Sequence, residues 1–160
     1  MRIGIPAETE AGETRVAATP ETVKKLTTGG HHTVLVQSGA GVNAAIPDDA
    51  FVASGATLAT AADVYRQADI VLKVRRPHGA ELSMLRRGSI LIGLLAPHEN
   101  TDALMQTGVT AFAMELLPRI SRAQAMDVLS SQGNIAGYKA VIVAAYEYGR
   151  FMPMLMTAAG

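Results

Sequence analysis

Short apolar runs rich in β-branched residues alternate along the chain with alanine-rich segments that carry helix signals. The apolar runs predict strands at Arg2–Ile5, His32–Gln37, Ile70–Val74, Ser89–Leu94 and Val109–Ala113. The third and fourth of these runs are continuously apolar, which is typical of strands that are covered on both faces. The pattern therefore predicts an α/β fold with a mostly parallel sheet flanked by helices.

Helices are predicted between these strands from their start and stop signals. Thr19 supplies an N-cap, Pro20 suits the first helical position, and we expect this helix to end at Gly29–Gly30. Shorter helices are predicted at Asp48–Ser54, Ala61–Gln67 and Thr101–Thr107.

The pattern changes in the last third of the chain. Glu115–Ser121 predicts a loop that contains Pro118, and the sequence is helical from Arg122, with an alanine-rich stretch over Ile135–Arg150. We expect an N-terminal α/β lobe over residues 1–134 and a linking helix with a truncated tail over residues 135–160. The tail contains the apolar run Phe151–Met156, which predicts that its packing partner is missing and that the chain self-associates.

Composition narrows the function classes. The chain has 160 residues, 49% of them hydrophobic, with 14 basic residues against 14 acidic ones and no cysteine. The apolar content supports a folded core, and the absence of net charge argues against a nucleic-acid partner. Without cysteine, disulfides, thiolate zinc sites and thiol nucleophiles are excluded. No secretory signal and no apolar run of membrane-spanning length is present, so we expect a cytoplasmic protein.

A glycine-rich segment and the histidines are weak candidates for a site. Gly39–Ala44 matches the G-x-G-x-x-A pattern of dinucleotide-binding turns. Pro47 interrupts the helix that should follow, and no suitable acid lies about 20 residues further on, so we favour a turn without a cofactor. His31 and His32 are adjacent on a strand and point to opposite sides, so no metal site is expected. His98 follows a strand at its carboxyl edge, where a solvent-facing role is favoured over a ligand contact.

Polar residues spaced by three form the most informative group. Gln124, Asp127 and Ser130 would share one face of a helix, and Arg119 and Arg122 precede them. Together they offer donors and acceptors for a ligand that carries an amide and ribose hydroxyls. A solvated helix face is the alternative, and spacing alone does not decide between the two.

Arg15 and Lys73 are the remaining candidates. Arg15 lies in the loop after the first strand, and Lys73 interrupts an otherwise apolar strand. A lysine in a buried strand is costly unless it is paired or lines a cleft. Either both residues bind an anionic ligand at the carboxyl ends of the strands, or Lys73 pairs with a nearby acid.

Two sets of motifs resemble a known family. The first set is similar to the alanine dehydrogenase and pyridine nucleotide transhydrogenase N-terminal family: Met1–Pro6, Glu13–Pro20, Ser38–Gly41 and Leu72–Val74. The second set is more specific and resembles the α subunits, which bind NAD(H), of proton-translocating NAD(P) transhydrogenases: Pro118–Gln124, Met126–Asp127, Ser130–Ser131 and Asn134–Tyr138. The resemblance covers the whole chain.

The resemblance implies a fold and a site. The fold is a Rossmann-like or flavodoxin-like first lobe of a two-lobe component, and the second, NAD-binding Rossmann lobe lies beyond this chain. The nucleotide lies between the lobes, with Gln124 and Asp127 as catalytic residues against its nicotinamide and ribose. The implied cofactor-binding residues are Arg119, Ile120, Ser121, Arg122, Gln124, Asp127 and Ser130, and no metal is implied.

The resemblance also implies an activity and partners. The activity is hydride transfer between NAD(H) and NADP(H), coupled to proton translocation in the full complex, and the chain alone is expected to be inactive. The partners are an NADP(H)-binding component, a membrane-spanning component and a second copy in a homodimer. The location is cytoplasmic, peripheral to the inner membrane.

Two other functions stay open. One is an alanine-dehydrogenase-like NAD-dependent oxidoreductase, since Arg15 and Lys73 match two of the three residues that surround pyruvate in those enzymes. The third, a histidine, falls near Ala96, and His98 is displaced from it by two positions, which argues against amino-acid oxidation because an acid–base group must reach the reacting proton. The other is a non-catalytic docking module.

Overall fold

The computed structural model describes residues 1–150, with the backbone alone at position 100. The chain divides into two compact units, of which the first is Met1–Pro118 and the second begins at Arg119. This division falls earlier than the boundary after residue 134 that we expect between the lobe and the linking helix, and that boundary stays a prediction. The predicted tail, Phe151–Met156, lies outside the described residues.

The first unit is built on a parallel sheet. Its six strands lie in the order β3-β2-β1-β4-β5-β6, and every described pair is parallel. The strands are β1 Arg2–Ile5, β2 Thr33–Gln37, β3 Ala56–Ala59, β4 Ile70–Arg75, β5 Ile90–Leu94 and β6 Thr110–Ala113. The order is that of a Rossmann sheet, so the predicted fold class is confirmed. Strand β3 was not predicted, because its four residues include little β-branched character.

Six α-helices are described. They are α1 Pro20–Thr27, α2 Asp48–Ala53, α3 Ala61–Gln67, α4 Ala80–Met84, α5 Pro97–Thr107 and α6 Val128–Glu147. Thr19 caps α1 as predicted, since its Oγ1 accepts the Thr22 N–H at 3.3 Å. Helix α4 was not predicted, and α5 begins at Pro97 rather than Thr101. Short 3-10 helices cover Thr28–Gly30, Val42–Ala44, Met114–Leu116 and Ser121–Met126.

The helices cover both faces of the sheet. Across the sheet the chain runs from β1 to β3 in one direction and from β4 to β6 in the other. Because the crossovers are right-handed, α1 and α2 lie on one face of the sheet, and α3, α4 and α5 lie on the opposite face. One hydrophobic cluster accordingly packs Val23 of α1 and Phe51 of α2 against the sheet. A second cluster contains Tyr65 of α3 and Leu104 of α5. The carboxyl ends of all six strands therefore meet at one edge, where parallel sheets bind ligands.

The second unit is dominated by α6. Every described residue from Leu129 to Arg150 is exposed, including Ile135, Tyr138 and Tyr146. None of the helices described in residues 1–150 combines the length and apolarity needed to cross a membrane.

Candidate functional site

The segment Arg119–Ser130 does not form one continuous helix. Ile120 is extended, a 3-10 helix covers Ser121–Met126, and the backbone leaves the helical region at Asp127 with ψ of 87°. Helix α6 starts only after this break. The prediction that Gln124, Asp127 and Ser130 share one helix face is therefore wrong, because Gln124 and Ser130 belong to different helices.

Asp127 and Ser130 are nevertheless brought together, at the start of α6. The Asp127 Oδ1 accepts the Ser130 N–H at 3.0 Å, and its Oδ2 accepts the Ser130 hydroxyl at 2.6 Å. These bonds make Asp127 the N-cap of the helix. The Ser130 hydroxyl, the Ser130 N–H and the nearby Arg119 charge hold the pKa of the Asp127 carboxyl below its usual range. Asp127 is thus an ionised carboxylate whose position is fixed by the helix that it caps.

The other predicted residues lie before this cap with their side chains uncommitted. Arg119, Ile120, Ser121, Arg122 and Gln124 are all exposed. Within residues 1–150, no hydrogen bond or ion pair is formed by the side chains of Arg122 and Gln124. Two guanidinium groups and one carboxamide therefore offer donors, and the carboxamide also an acceptor, to a group from outside this unit.

A second group of polar residues lies inside the first unit, around Lys73 of β4. The Lys73 Nζ lies 2.6 Å from the Glu81 Oε1 and 3.6 Å from the Glu8 Oε2. The Tyr65 hydroxyl donates to the same Glu81 oxygen at 2.6 Å. The Lys73 side chain is only 1% exposed, so in this arrangement no ligand reaches its ammonium group.

The electrostatics of this group follow from burial and pairing. Burial acts to raise the pKa of Glu81, but hydrogen bonds from Lys73, Tyr65 and the His78 N–H outweigh it and hold the pKa below its usual range. Burial and the neighbouring Glu81 carboxylate raise the pKa of Tyr65. Lys73 and Glu81 thus form a buried ion pair. The Glu81 carboxylate oxygens accept further hydrogen bonds, which a buried ion pair needs to offset the desolvation of its charges.

Two glutamates from the loop after β1 extend this group to Arg15. The Glu8 carboxylate accepts the backbone N–H groups of Val74 at 2.6 Å and Arg75 at 3.0 Å. The Glu13 carboxylate accepts hydrogen bonds from the Nε and a terminal nitrogen of Arg15, at 2.8 Å and 2.6 Å, and from the Arg75 Nε at 2.9 Å. These hydrogen bonds, that of the Arg15 side chain above all, lower the pKa of Glu13 to about 2 against the opposing effect of burial.

These contacts answer the question that the sequence left open for Arg15 and Lys73. Both cations are paired with acids of the same unit. The hydrogen bond to Glu13 above all raises the pKa of Arg15, and the charge of Glu8, which lies beside Lys73, raises it further and so links the two pairs. The interpretation in which Lys73 pairs with a nearby acid is the one that the structure shows. His98 lies exposed in the first turn of α5, outside these contacts.

The glycine-rich segment is a packed turn. The Gly39 N–H, which a phosphate would use, donates to the Asp48 carboxylate at 2.9 Å. A Cβ at Gly41 would lie 2.5 Å from the Ile46 carbonyl oxygen and 2.7 Å from the Phe51 ring, so this glycine is needed for packing. No group of three or more acidic or histidine side chains within residues 1–150 is arranged to hold a metal ion.

Comparison with known proteins identifies the family. The sequence profile described as alanine dehydrogenase/PNT, N-terminal domain, matches residues 4–136. The chain belongs to this family. Within it, the chain is 53% identical over its whole length to an NAD(P) transhydrogenase subunit alpha polypeptide of Rhodospirillum rubrum, of which it covers 44%. It is 44% identical to the alanine dehydrogenase of Mycobacterium tuberculosis, with 94% of the chain and 41% of that protein covered.

Among solved structures, too, the chain is more similar to a transhydrogenase than to an alanine dehydrogenase. The structure of the transhydrogenase from Sinorhizobium meliloti matches 100% of the chain with a TM-score of 0.90 at 50% identity, and 48% of that chain is covered. An L-alanine dehydrogenase matches 72% of the chain with a TM-score of 0.67 at 35% identity, covering 32% of that protein. The chain is thus closer to the transhydrogenases, and it spans less than half the length of the family members that it matches.

The acids that pair with Lys73 and Arg15 were not predicted from the sequence. Glu8 and Glu13 lie in a loop and Glu81 in a short helix, so neither periodicity nor a motif marked them. One signal was present, because a lysine inside an apolar strand needs a counter-ion, and these loop acids follow the neighbouring strand.

Proposed function

We propose that this chain is the N-terminal lobe of an NAD(P) transhydrogenase α subunit and that it supplies the nicotinamide-facing loop for hydride transfer between NAD(H) and NADP(H). In the full complex this transfer is coupled to proton translocation. The loop consists of Arg119, Ile120, Ser121, Arg122, Gln124, Asp127 and Ser130. The chain alone is inactive, because the remaining nucleotide contacts lie in the other part of the polypeptide.

One observation carries the proposal. The full-length match to transhydrogenases includes the segment 119–130, and this segment has an ionised carboxylate fixed at the cap of α6, preceded by uncommitted guanidinium and carboxamide groups. Exposed, unpaired donors beside a fixed acceptor are groups to which an external ligand can hydrogen-bond.

The donor set of this loop fits NAD(H). A carboxamide such as that of Gln124 pairs with the nicotinamide carboxamide, and the Asp127 carboxylate accepts from ribose hydroxyls. Arg119 adds a charged donor for an oxygen of the nucleotide. The bound nucleotide supplies the hydride chemistry, and the residues of the loop bind and orient it, which is the usual division of work in cofactor enzymes.

The same proposal includes the partners. An NADP(H)-binding component docks against this loop, a membrane-spanning component carries the protons, and two copies of the α subunit form a homodimer. The chain is then cytoplasmic and peripheral to the inner membrane. Gln124 contacts nucleotide groups of both components, since its carboxamide donates and accepts at once.

The test uses the intact polypeptide that carries this sequence, assembled with its NADP(H)-binding partner. Gln124→Asn keeps the amide but shortens the side chain by one methylene, and a misplacement of about an ångström can cost about 100-fold in rate. We expect slower hydride transfer in stopped-flow measurements with NADH affinity close to the parent value, whereas Arg119→Ala should weaken NADH binding as well.

Gln106→Asn and Arg66→Ala, two exposed positions of the first unit, are the matched controls. An unchanged transfer rate in Gln124→Asn would remove this residue from the mechanism. NADH oxidation with pyruvate and ammonia would instead favour alanine dehydrogenase activity, and partner binding that is indifferent to NADH would favour a docking module.

A further inference from the structure

One face of the sheet is only half covered within the first unit. Leu72 of β4 contacts the hydrophobic cluster that α1 and α2 form with the sheet. It is paired in register with Ile92 of β5, and Ile92 is paired with Phe112 of β6. Residues paired in register point to the same face of a sheet, so Ile92 and Phe112 continue the face that α1 and α2 cover. Both residues lie outside the two hydrophobic clusters of this unit.

The burial of alternate residues shows the same asymmetry. Along β5, Leu91 is fully buried in the cluster on the face of α3, α4 and α5, whereas Ile90, Ile92 and Leu94 on the other face are half-buried. Phe112, at the edge of the sheet, is 53% exposed. We call Ile90, Ile92, Leu94 and Phe112 the open face. All four are large apolar residues, and none of them carries a charge.

The open face needs a cover that the first unit does not supply. Parallel sheets are covered on both faces, and an apolar patch left exposed on a protein marks an interaction site. Helix α4 connects β4 to β5 and α5 connects β5 to β6, but right-handed crossovers place both helices on the opposite face. The open face lies beside the layer formed by α1 and α2, so a helix packed there would continue that layer. Without charged residues, the face suits a permanent cover better than a partner that binds and leaves.

We propose that the open face is covered, in the intact α subunit, by a helix from the part of the same polypeptide that follows residue 160. The chain spans less than half the length of the family members that it matches, so more than half of each is left to supply such a helix. A segment of the same polypeptide is tethered, and its effective concentration at the face therefore exceeds that of a separate molecule. The inference rests on the proposed function, because that function makes this chain the N-terminal lobe of a longer polypeptide.

The first experiment asks whether the open face is covered. The 160 residues contain no cysteine, so Phe112→Cys adds a single thiol to this part of the intact polypeptide. Val52→Cys, on α2, is the matched control, since Val52 is 50% exposed and Phe112 is 53% exposed. We expect maleimide to label position 112 about 10-fold or more slowly than position 52, because a packed segment must open before the thiol reacts. Should Phe112→Cys not fold, Thr110→Cys, an exposed position on the same face of β6, takes its place.

The second experiment identifies the cover. The photo-crosslinker p-benzoylphenylalanine replaces Phe112 in the intact polypeptide, in an equal mixture of subunits with natural and heavy nitrogen, and the cross-linked peptides are read by mass spectrometry. We expect cross-links to residues beyond 160, with both peptides of each pair carrying the same isotope. The same photo-crosslinker in place of Val52 gives the background.

Other outcomes overturn the inference. Equal labelling at positions 112 and 52 would show that the face is open. Pairs of mixed isotope would assign the cover to a second copy, cross-links to the NADP(H)-binding component would assign it to that partner, and cross-links to α6 would assign it to this chain. Slow labelling without a cross-link beyond residue 160 also counts against the proposed cover. None of these readouts depends on hydride transfer, so a parental transfer rate in Gln124→Asn would refute the role of the loop and leave this inference standing.

Discussion

Replacing Lys73 by methionine tests the buried ion pair of the first unit. Methionine matches the aliphatic part of lysine but removes the ammonium group. In Lys73 this group lies 2.6 Å from the Glu81 Oε1, and the whole side chain is only 1% exposed. Glu81 and Glu8 would then be two buried carboxylates without their shared cation. Removing one partner of a buried pair costs about 3–5 kcal/mol, because the remaining charge is left uncompensated.

That free energy sets the size of the expected decrease in the melting temperature, Tm. For a domain of this size about 1 kcal/mol lowers the Tm by roughly 2–4 °C, so Lys73→Met should lower it by about 6–20 °C. Urea unfolding followed by circular dichroism gives the free energy of unfolding directly. Lys25→Met removes a lysine with an equally short contact, 2.7 Å to Glu21, but both side chains are about three-quarters exposed, at 74% and 77%. This control should leave the Tm close to the parent value.

The double variant Lys73→Met with Glu81→Gln isolates the uncompensated charge. A neutral amide at position 81 still accepts from Tyr65, so the double variant should be more stable than Lys73→Met alone. If Lys73→Met lost less than about 1 kcal/mol, or if the double variant were less stable than the single one, the reasoning from burial would be refuted.

Three further predictions follow from single residues. The pKa of Glu13 is lowered to about 2, so its contribution to the free energy of unfolding is complete above the unfolded pKa of 4.5 and is lost as the pH falls towards 2. Urea titrations at several pH values should show this loss of stability, and the loss should be smaller in Glu13→Gln. Gly4→Ala should destabilise the fold by about 1–3 kcal/mol, measured by urea unfolding, because a Cβ there would lie 2.8 Å from the Ala68 Cβ and 2.9 Å from the Val64 carbonyl oxygen. Asp127→Ala should increase amide exchange in the first turn of α6, whereas Asp127→Asn, which keeps a capping oxygen, should change it little.

The sheet could be predicted from the sequence because its strands are individually apolar and separated by helix signals. A buried parallel strand such as Ile90–Leu94 can be recognised without its partner strands, since burial on both faces leaves a continuous apolar run, and Ile70–Arg75 keeps this character apart from Lys73 and Arg75. Strand β3 lies at the edge of the sheet and is only partly buried, so its residues, Ala56–Ala59, carry no such run. These residues form a strand because they pair with β2, and such pairing is a tertiary contact that the local sequence does not reveal.

The geometry of the candidate site could not be predicted from spacing. A three-residue repeat is compatible with one helix, but the aspartate at position 127 competes as an N-cap for the backbone of the next turn, and it ends one helix and starts another. Spacing singled out Gln124, Asp127 and Ser130 as candidates, the resemblance to a family implied that they bind a nucleotide, and their role stays a prediction. The contact in which the Glu115 carboxylate accepts the Ala96 N–H at 2.6 Å was not predicted either, because a hydrogen bond from a backbone N–H leaves no mark in the sequence.

The contrast between the two polar groups is itself an argument about function. In the first unit, the buried Lys73 and Glu81 pair with each other and the buried Glu13 pairs with Arg75, so binding a ligand there would require breaking pairs that the fold depends on. In the second unit, Arg122 and Gln124 are exposed and leave their hydrogen-bonding capacity unused among the described residues, while Asp127 is fixed by its own helix. A ligand can bind Arg122 and Gln124 without breaking existing pairs, at the cost only of ordering their side chains, and it meets an Asp127 carboxylate whose position is already fixed. By this criterion we propose that the loop that begins at Arg119 binds the nucleotide, whereas the ionic group around Lys73 stabilises the first unit.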